Sequence, residues 1–390
     1  MTDDYIKRCH HFIFNKLLTK WADFGINKEF GYSVESLTTK WQVNPTGRIR
    51  LLTQCRQLYT FSHAYLLTKD PKWLAVLKPL YSFIVENYVI SLTEHDIAGS
   101  KSNTKIRWRF SLDDNLAPLD DSSDAYALAF VLLSFSFYYQ VTQDESAISY
   151  IEQTDSFLNT YMSSEQGGFY ETYPVDKSML RRQNPHMHLL EGYIAAYQVL
   201  KKSKYKDRII ALLELLKTHF FDATSQSLIE FFNNNWQPDQ KEGHKIEPGH
   251  HFEWVWLLHQ AYKIHDDESY LSIASHLWEK ACEEGFDPKG GIYNQIHAHL
   301  NGVIDREKRI WPITEYIKAI CVQCDHETSL KRLKGALDFM FEHYLLDDGS
   351  WNEYLDGGNQ AKDYPLPGTT SYHIFLGFAE LLNWHNNQHN

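Results

Sequence analysis

Six residues able to do chemistry recur along this 390-residue chain at nearly even intervals: Arg56, Tyr126, His188, His250, Trp311 and His373. From Tyr126 onward the steps are 62, 62, 61 and 62 residues, and Arg56 precedes Tyr126 by 70. Imidazole titrates near neutral pH, so a histidine can act as base and then as acid in one turnover. A guanidinium is permanently charged and suits negative charge developing on oxygen. Aromatic rings stack on the apolar faces of sugars, though most of the 11 Trp, 24 Tyr and 22 Phe are expected to fill the core. His188 and His250 each have a glutamate three residues on, Glu191 and Glu253, a spacing that puts acid and imidazole on one helix face. Such a carboxylate can orient the ring or bind a hydroxyl beside it. A lone helical histidine is more often a satisfied core residue, and of the 20 histidines His10, His11, His259 and His389 read that way.

The elements that would bring these residues together are helices. Tyr126 to Gln140 (YALAFVLLSFSFYYQ) is apolar on nearly every face, as a helix buried all round should be. Asp144 to Met162 carries one apolar stripe and a polar back, as an outer helix should. About twelve such segments alternate between the two kinds. Inner helices are predicted to begin near Pro45, Asp121, Pro185, Pro248, Trp311 and Pro367, with proline tolerated in a first helical turn. Between the hairpins lie short glycine-and-aromatic stretches: FGYS, IRWRF, GGFYE, SLIEF, GGIYN and GSWNEY. They recur at 59 to 63 residues after a first step of 76. Six helical hairpins with small β-like turns predict an all-α fold, a closed (α/α)6 barrel forming one domain over 1–390. An open solenoid would need polar capping repeats, and the last unit here is among the richest in motifs. In a closed barrel, equivalent positions on the inner helices converge at one end of the axis, so the six residues should ring one cavity.

With 43% hydrophobic and 23% charged residues the chain has the composition of a globular enzyme. A formal charge of −12 argues against a nucleic-acid or anionic-membrane surface. Lys101, Lys105, Arg107 and Arg109 form the one basic cluster, expected to be a solvated loop. The five cysteines fit no disulfide or zinc framework, and Cys321 and Cys324, despite their CxxC spacing, read as buried thiols in a helix. The N-terminus has no signal-type apolar run and no stretch looks long enough to span a membrane, which leads to the expectation of a cytoplasmic monomer or homodimer.

Several longer segments carry a resemblance. RQNPHMHLLEGY, EPGHHFEWVWLL, KRIWPITEYIKA and LPGTTSYHIFLGFAE, together with QCRQLYTFSHAY and DAYALAF, resemble the N-acylglucosamine 2-epimerase superfamily. NPHMHLLE, PGHHFEW and KRIWPITE are most similar to its aldose–ketose isomerase branch, the D-mannose and sulfoquinovose isomerases. The resemblance implies an (α/α)6 barrel and metal-free, cofactor-free proton transfer by two histidines on a free monosaccharide. By motif, it implies that His250 and His373 are the acid/base pair. It also implies that Arg56 faces the sugar oxygens and that Glu253 is the acid beside His250. Tyr126, Asn184, His188, Trp311 and Glu315 are then implied as substrate contacts. This chain reads WPITE where cellobiose epimerases tend to read WWxQ, which favours a monosaccharide isomerase over a disaccharide epimerase.

Aldose–ketose interconversion removes a proton beside a carbonyl and returns it one carbon away through an enediolate, whose charge needs fixed donors such as Arg56 and inward-pointing helix N-termini. His250 is the expected ring-opening group and His373 the shuttle between C1 and C2, with the reverse assignment open. A sugar 2-epimerase is the nearest alternative. A metal site built from His186, His188, His250, His251 and nearby glutamates is a rival, but its spacing matches no compact zinc motif. A glycoside hydrolase would want two facing carboxylates, for which Asp113, Asp114, Asp120 and Asp121 are candidates, whereas histidine dominates the ring. A sugar-binding module would leave the two histidines unused.

Overall fold

The computed structural model describes residues 3–92 and 104–389. The N-terminal outer segment consists of α1 (Asp3–His11) and α2 (Leu18–Lys20), joined and followed by wide π-helical turns at Phe12–Leu17 and Trp21–Gly25. The inner helices are α3 (Leu51–Thr68), α5 (Ala125–Thr142), α7 (Gln183–Leu200), α9 (Pro248–Tyr262), α11 (Trp311–Gln323) and α13 (Gly368–His389). The remaining outer helices are α4 (Leu74–Tyr88), α6 (Glu145–Phe157), α8 (Ser203–Leu215), α10 (Glu268–Glu284) and α12 (His326–Phe339). Each inner helix packs on its two inner neighbours, and α13 packs back on α3, closing an (α/α)6 barrel.

Local chemistry sets the hairpins. Lys69, Gln143 and Lys201 end α3, α5 and α7 in the left-handed conformation, which stops the helix and reverses the chain. Asp144, Asp267 and Asp325 then cap α6, α10 and α12 by accepting a backbone N–H, satisfying donors the first turn leaves orphaned. The inner helices are buried on almost every face over their N-terminal portions, whereas α6, α8, α10 and α12 bury one stripe. α5 is long and apolar enough to cross a membrane by composition, contrary to the sequence expectation, but here it is a core helix packed between α3, α6 and α7.

Two-residue strands tie the ring together. Immediately before each inner helix lies a short strand that pairs, antiparallel, with one from the next unit's turn. Ile49–Arg50 meets Ser111–Leu112, Ser123–Asp124 meets Thr172–Tyr173, and Arg181–Arg182 meets Phe231–Phe232. Lys245–Ile246 meets Gln295–His297, Lys308–Arg309 meets Tyr354–Leu355, and Leu366–Pro367 returns to Ser36–Leu37. The last pairing closes the circle.

The helix starts differ from expectation at one place. α3 begins at Leu51 and not near Pro45, because Leu37 bridges to Val43 and the following residues lead into the strand Ile49–Arg50. The basic stretch is not a solvated loop: Ile106–Trp108 pairs with Val89–Ser91, and Arg109 binds Asp121 and the Asn87 carbonyl. Lys101 lies outside the described residues. Cys321 and Cys324 are half-buried, with Cys324 just past the end of α11.

Candidate active site

A cavity of about 190 Å³ opens where the N-terminal ends of the inner helices converge. Arg56, Tyr126, His188, His250, Trp311 and His373, the six evenly spaced residues, all line it, one from each inner helix. Asn184, Glu247, Glu253, Arg309, Thr369 and Thr370 complete the wall. Converging helix N-termini bring partial positive charge to this end, a setting that favours an anionic intermediate. Arg56 donates to the Tyr126 hydroxyl at 2.6 Å and to the Thr369 carbonyl at 3.3 Å, and its guanidinium rests on the rings of Phe130 and Tyr372. Those contacts hold the charge in one orientation.

The two histidines flank Trp311, with ring centroids 5.1 Å (His250) and 5.7 Å (His373) from it. Gly249 makes this approach feasible, since a Cβ there would lie 2.5 Å from the Trp311 ring. The two rings are held in opposite charge states. Burial lowers the His373 pKa to about 3, only partly offset by its bond from Nδ1 to Glu315 Oε1 at 2.9 Å. His373 is therefore neutral, and with Nδ1 committed to a carboxylate its Nε2 carries the free lone pair. Burial also works against a charged His250, but Glu230 and Glu247 outweigh it and raise its pKa to about 10. Glu230 Oε1 lies 3.0 Å from His250 Nδ1 and Glu247 Oε2 lies 3.8 Å away. At neutral pH His250 is an imidazolium, a ready proton donor.

The repeat explains this asymmetry. In the first and third units the residue leading into the inner helix is an arginine that neutralises a turn glutamate: Arg50 with Glu35 and Arg182 with Glu171, each at 2.7 Å. Before α9 that residue is Glu247, so Glu230 has no arginine and His250 supplies the positive charge. Glu230 sits in SLIEF and went unrecognised in the sequence. The signal was the acid recurring in these turns, as Glu35, Glu171, Glu230 and Glu353.

Three expectations are corrected. Glu253 lines the same cavity as His250 but its nearest imidazole contact is elsewhere: its Oε1 lies 3.7 Å from His188 Nε2. His250 is the third residue of α9, so its ring turns back toward the preceding turn, while Glu253 one helical turn on reaches across to α7. Glu315 is fully buried behind His373 and does not line the cavity, so it orients a histidine and is not a sugar contact. His186 and His251 point away from the cavity: each accepts the backbone N–H of a turn residue, Phe169 and Leu228 respectively. They pin turns in place.

His188 bridges two acids. Its Nδ1 meets Glu191 Oε2 at 3.2 Å, as the i,i+3 spacing predicts, and its Nε2 faces Glu253. Burial and the nearby Glu315 push Glu253 up to about pKa 8, so it is a carboxylic acid at neutral pH. Burial lowers His188 to about 4. His188, Glu191 and Glu253 place ligand atoms within 4.8 Å of one another and are the group best able to hold a metal ion among the described residues.

Residues 31–377 match the sequence model of the N-acylglucosamine 2-epimerase (GlcNAc 2-epimerase) family. A mannose-6-phosphate isomerase of Rhizobium meliloti is 27% identical over 379 residues, 93% of each chain. A D-mannose isomerase of Marinomonas mediterranea is 28% identical over 286 residues, 68% of this chain and 72% of the relative. Among solved structures, a cellobiose 2-epimerase from Bacillus thermoamylovorans superposes with a TM-score of 0.86 at 23% identity, covering 98% of this chain and all of the other.

Proposed function

The chain belongs to the N-acylglucosamine 2-epimerase family, and we propose that it is an aldose–ketose isomerase converting free D-mannose to D-fructose. The observation that carries this reading is the placing of two histidines on either side of Trp311 in one cavity, His250 held by Glu230 and His373 by Glu315. One is an acid and the other a base before substrate arrives. His250 protonates the ring oxygen as the pyranose opens and takes up the proton that the anomeric hydroxyl releases, so the aldehyde forms and the imidazolium is restored. His373 Nε2 then takes the C2 proton, giving an enediolate with its charge facing Arg56. His250 mediates the hydroxyl proton exchange between O2 and O1, and His373 returns its proton to C1. One oriented donor to such an oxyanion is typically worth about 3 kcal/mol of barrier. A 2-epimerase would start from the same pair of one neutral and one protonated histidine but would return the proton to C2 from the opposite face, so the carbon that receives the proton separates the two reactions.

The cavity supports a small neutral substrate. Its size suits one hexose unit. Of the two arginines in its wall, Arg309 is paired with Glu353 at 3.2 Å, and Arg56 is bonded to Tyr126 and Thr369. Glu247 lines the same space, so the wall is not the uniformly basic one that a phosphate dianion would call for.

Incubated with mannose in D2O and followed by NMR, the protein is expected to yield fructose as the main early product, with deuterium at C1 to the extent that the His373 proton exchanges with solvent. Early glucose, or reaction of N-acetylated sugars alone, would replace this reading with an epimerase. Activity is also expected to survive exhaustive EDTA dialysis, since the electrophile assigned here is Arg56. Loss on chelation with recovery on adding a divalent ion would move the chemistry to a metal at His188, Glu191 and Glu253.

A further inference from the structure

Lys318 is a fully buried ammonium on α11, three residues after Glu315. Its Nζ lies 2.6 Å from Glu315 Oε2, and the Trp256 ring of α9 lies 4.2 Å away. The other oxygen of Glu315 meets His373 Nδ1. The three groups form a line that ends at the cavity wall. Around it stand Glu253 from α9, Glu191 from α7, Arg56 and Tyr59 from α3, and Glu380 and Tyr372 from α13. Burying an ammonium is costly even after the surroundings relax. A site needing only packing would be served by Met or Leu.

We propose that Lys318 is a positioning residue for proton transfer: it keeps Glu315 ionised, and the ionised carboxylate locks His373 in the tautomer whose bare Nε2 faces the sugar. This rests on His373 being the shuttle base. A carboxylate can only accept, so it demands a proton on Nδ1 and leaves the lone pair on Nε2. A protonated Glu315 would instead donate to Nδ1, and the ring proton would sit on Nε2, where it blocks the base. Burial by itself drives Glu315 toward that protonated form; Lys318 and the His373 bond together reverse the drift.

Lys318→Met keeps an unbranched side chain one atom shorter and removes its charge. At pH 7 it is expected to lower kcat at least about tenfold, the lower range for losing acid–base function, with KM within about threefold. Its kcat, taken relative to the parent's at each pH so that the titration of Glu253 near pH 8 is common to both, should climb between pH 7 and 9 as Glu315 regains its charge. Added to Glu315→Gln, Lys318→Met should cost no more than about a further twofold, because it acts through the residue already removed. Parent-like kcat, an unmoved pH profile in a folded variant, or additive losses would each overturn the proposal. Should Lys318→Met fail to fold, nitrogen NMR of labelled histidine in the parent protein decides instead. His373 is expected as the Nδ1–H tautomer from pH 6 to 9, and the Nε2–H tautomer would refute the idea. That readout is independent of which sugar reacts, so it separates failure of this proposal from failure of the isomerase reading.

Discussion

Replacing His373 or His250 with asparagine is expected to lower kcat by at least about a hundredfold, the usual toll of losing a positioned acid or base. Asparagine keeps a polar group of similar reach, so circular dichroism and melting should show a folded barrel. The two losses differ in kind. In His373→Asn no base remains to take the C2 proton, so exchange of that proton with D2O should stop along with product formation. In His250→Asn the base survives, but the ring is no longer opened by an imidazolium. Fructose formation should fall while the small open-chain fraction of the sugar still exchanges at C2. A kcat within tenfold of the parent in either variant would remove that residue from the reaction.

Glu230→Gln carries the second-largest expected effect, a fall in kcat of about tenfold or more at pH 7.5 that shrinks as the pH is lowered. The sign follows from the partners of His250. Its pKa of about 10 lies above the value near 6.5 of a free imidazole because Glu230 and Glu247 outweigh burial. With Glu230 neutral, burial is opposed chiefly by Glu247, and the ring loses its proton at ordinary pH. Acid restores the proton, so the variant should gain activity from pH 8 down to 5.5 relative to the parent. The same charge stabilises the fold. The contribution is full below pH 6.5 and is lost as the pH climbs through about 10, so the parent's urea midpoint should decline over that window more than the variant's. A pH–rate profile parallel to the parent's would mean that Glu230 does not set the His250 charge.

Much of this site was legible because the chain repeats. A 62-residue step is long enough to specify a hairpin and constant enough to place one residue per inner helix on a common ring, and the cavity wall follows that ring. The partners of the ring residues were not legible, because carboxylates arrive from other elements. Glu315 is 58 positions from His373, and Glu230 reaches His250 from a turn 20 residues upstream. The helical i,i+3 rule served where both residues sit inside a helix, as with His188 and Glu191. It failed for His250 and Glu253 because His250 lies in the first turn, where a loop carboxylate competes for its ring. Lys318 was written plainly in ITEYIKA, but no sequence pattern marks a lysine as having been taken out of water.

The strand pairing between Leu366–Pro367 and Ser36–Leu37 bears on how the protein is made. That contact joins residues some 330 positions apart, and with it comes the packing of α13 on α3 that completes the wall. His373 and Thr369, the residue that fixes Arg56, lie beyond that seam, so they are made after the other five inner helices. A nascent chain holding five hairpins has most of its apolar surface available for burial, yet it has an unzipped edge at Ser36–Leu37 and no enclosed pocket. The enclosed pocket thus arrives in one step, when α13 docks on α3. The loop-closure entropy of that step grows only logarithmically with the intervening length, so the delay is set by translation and by the docking of one helix.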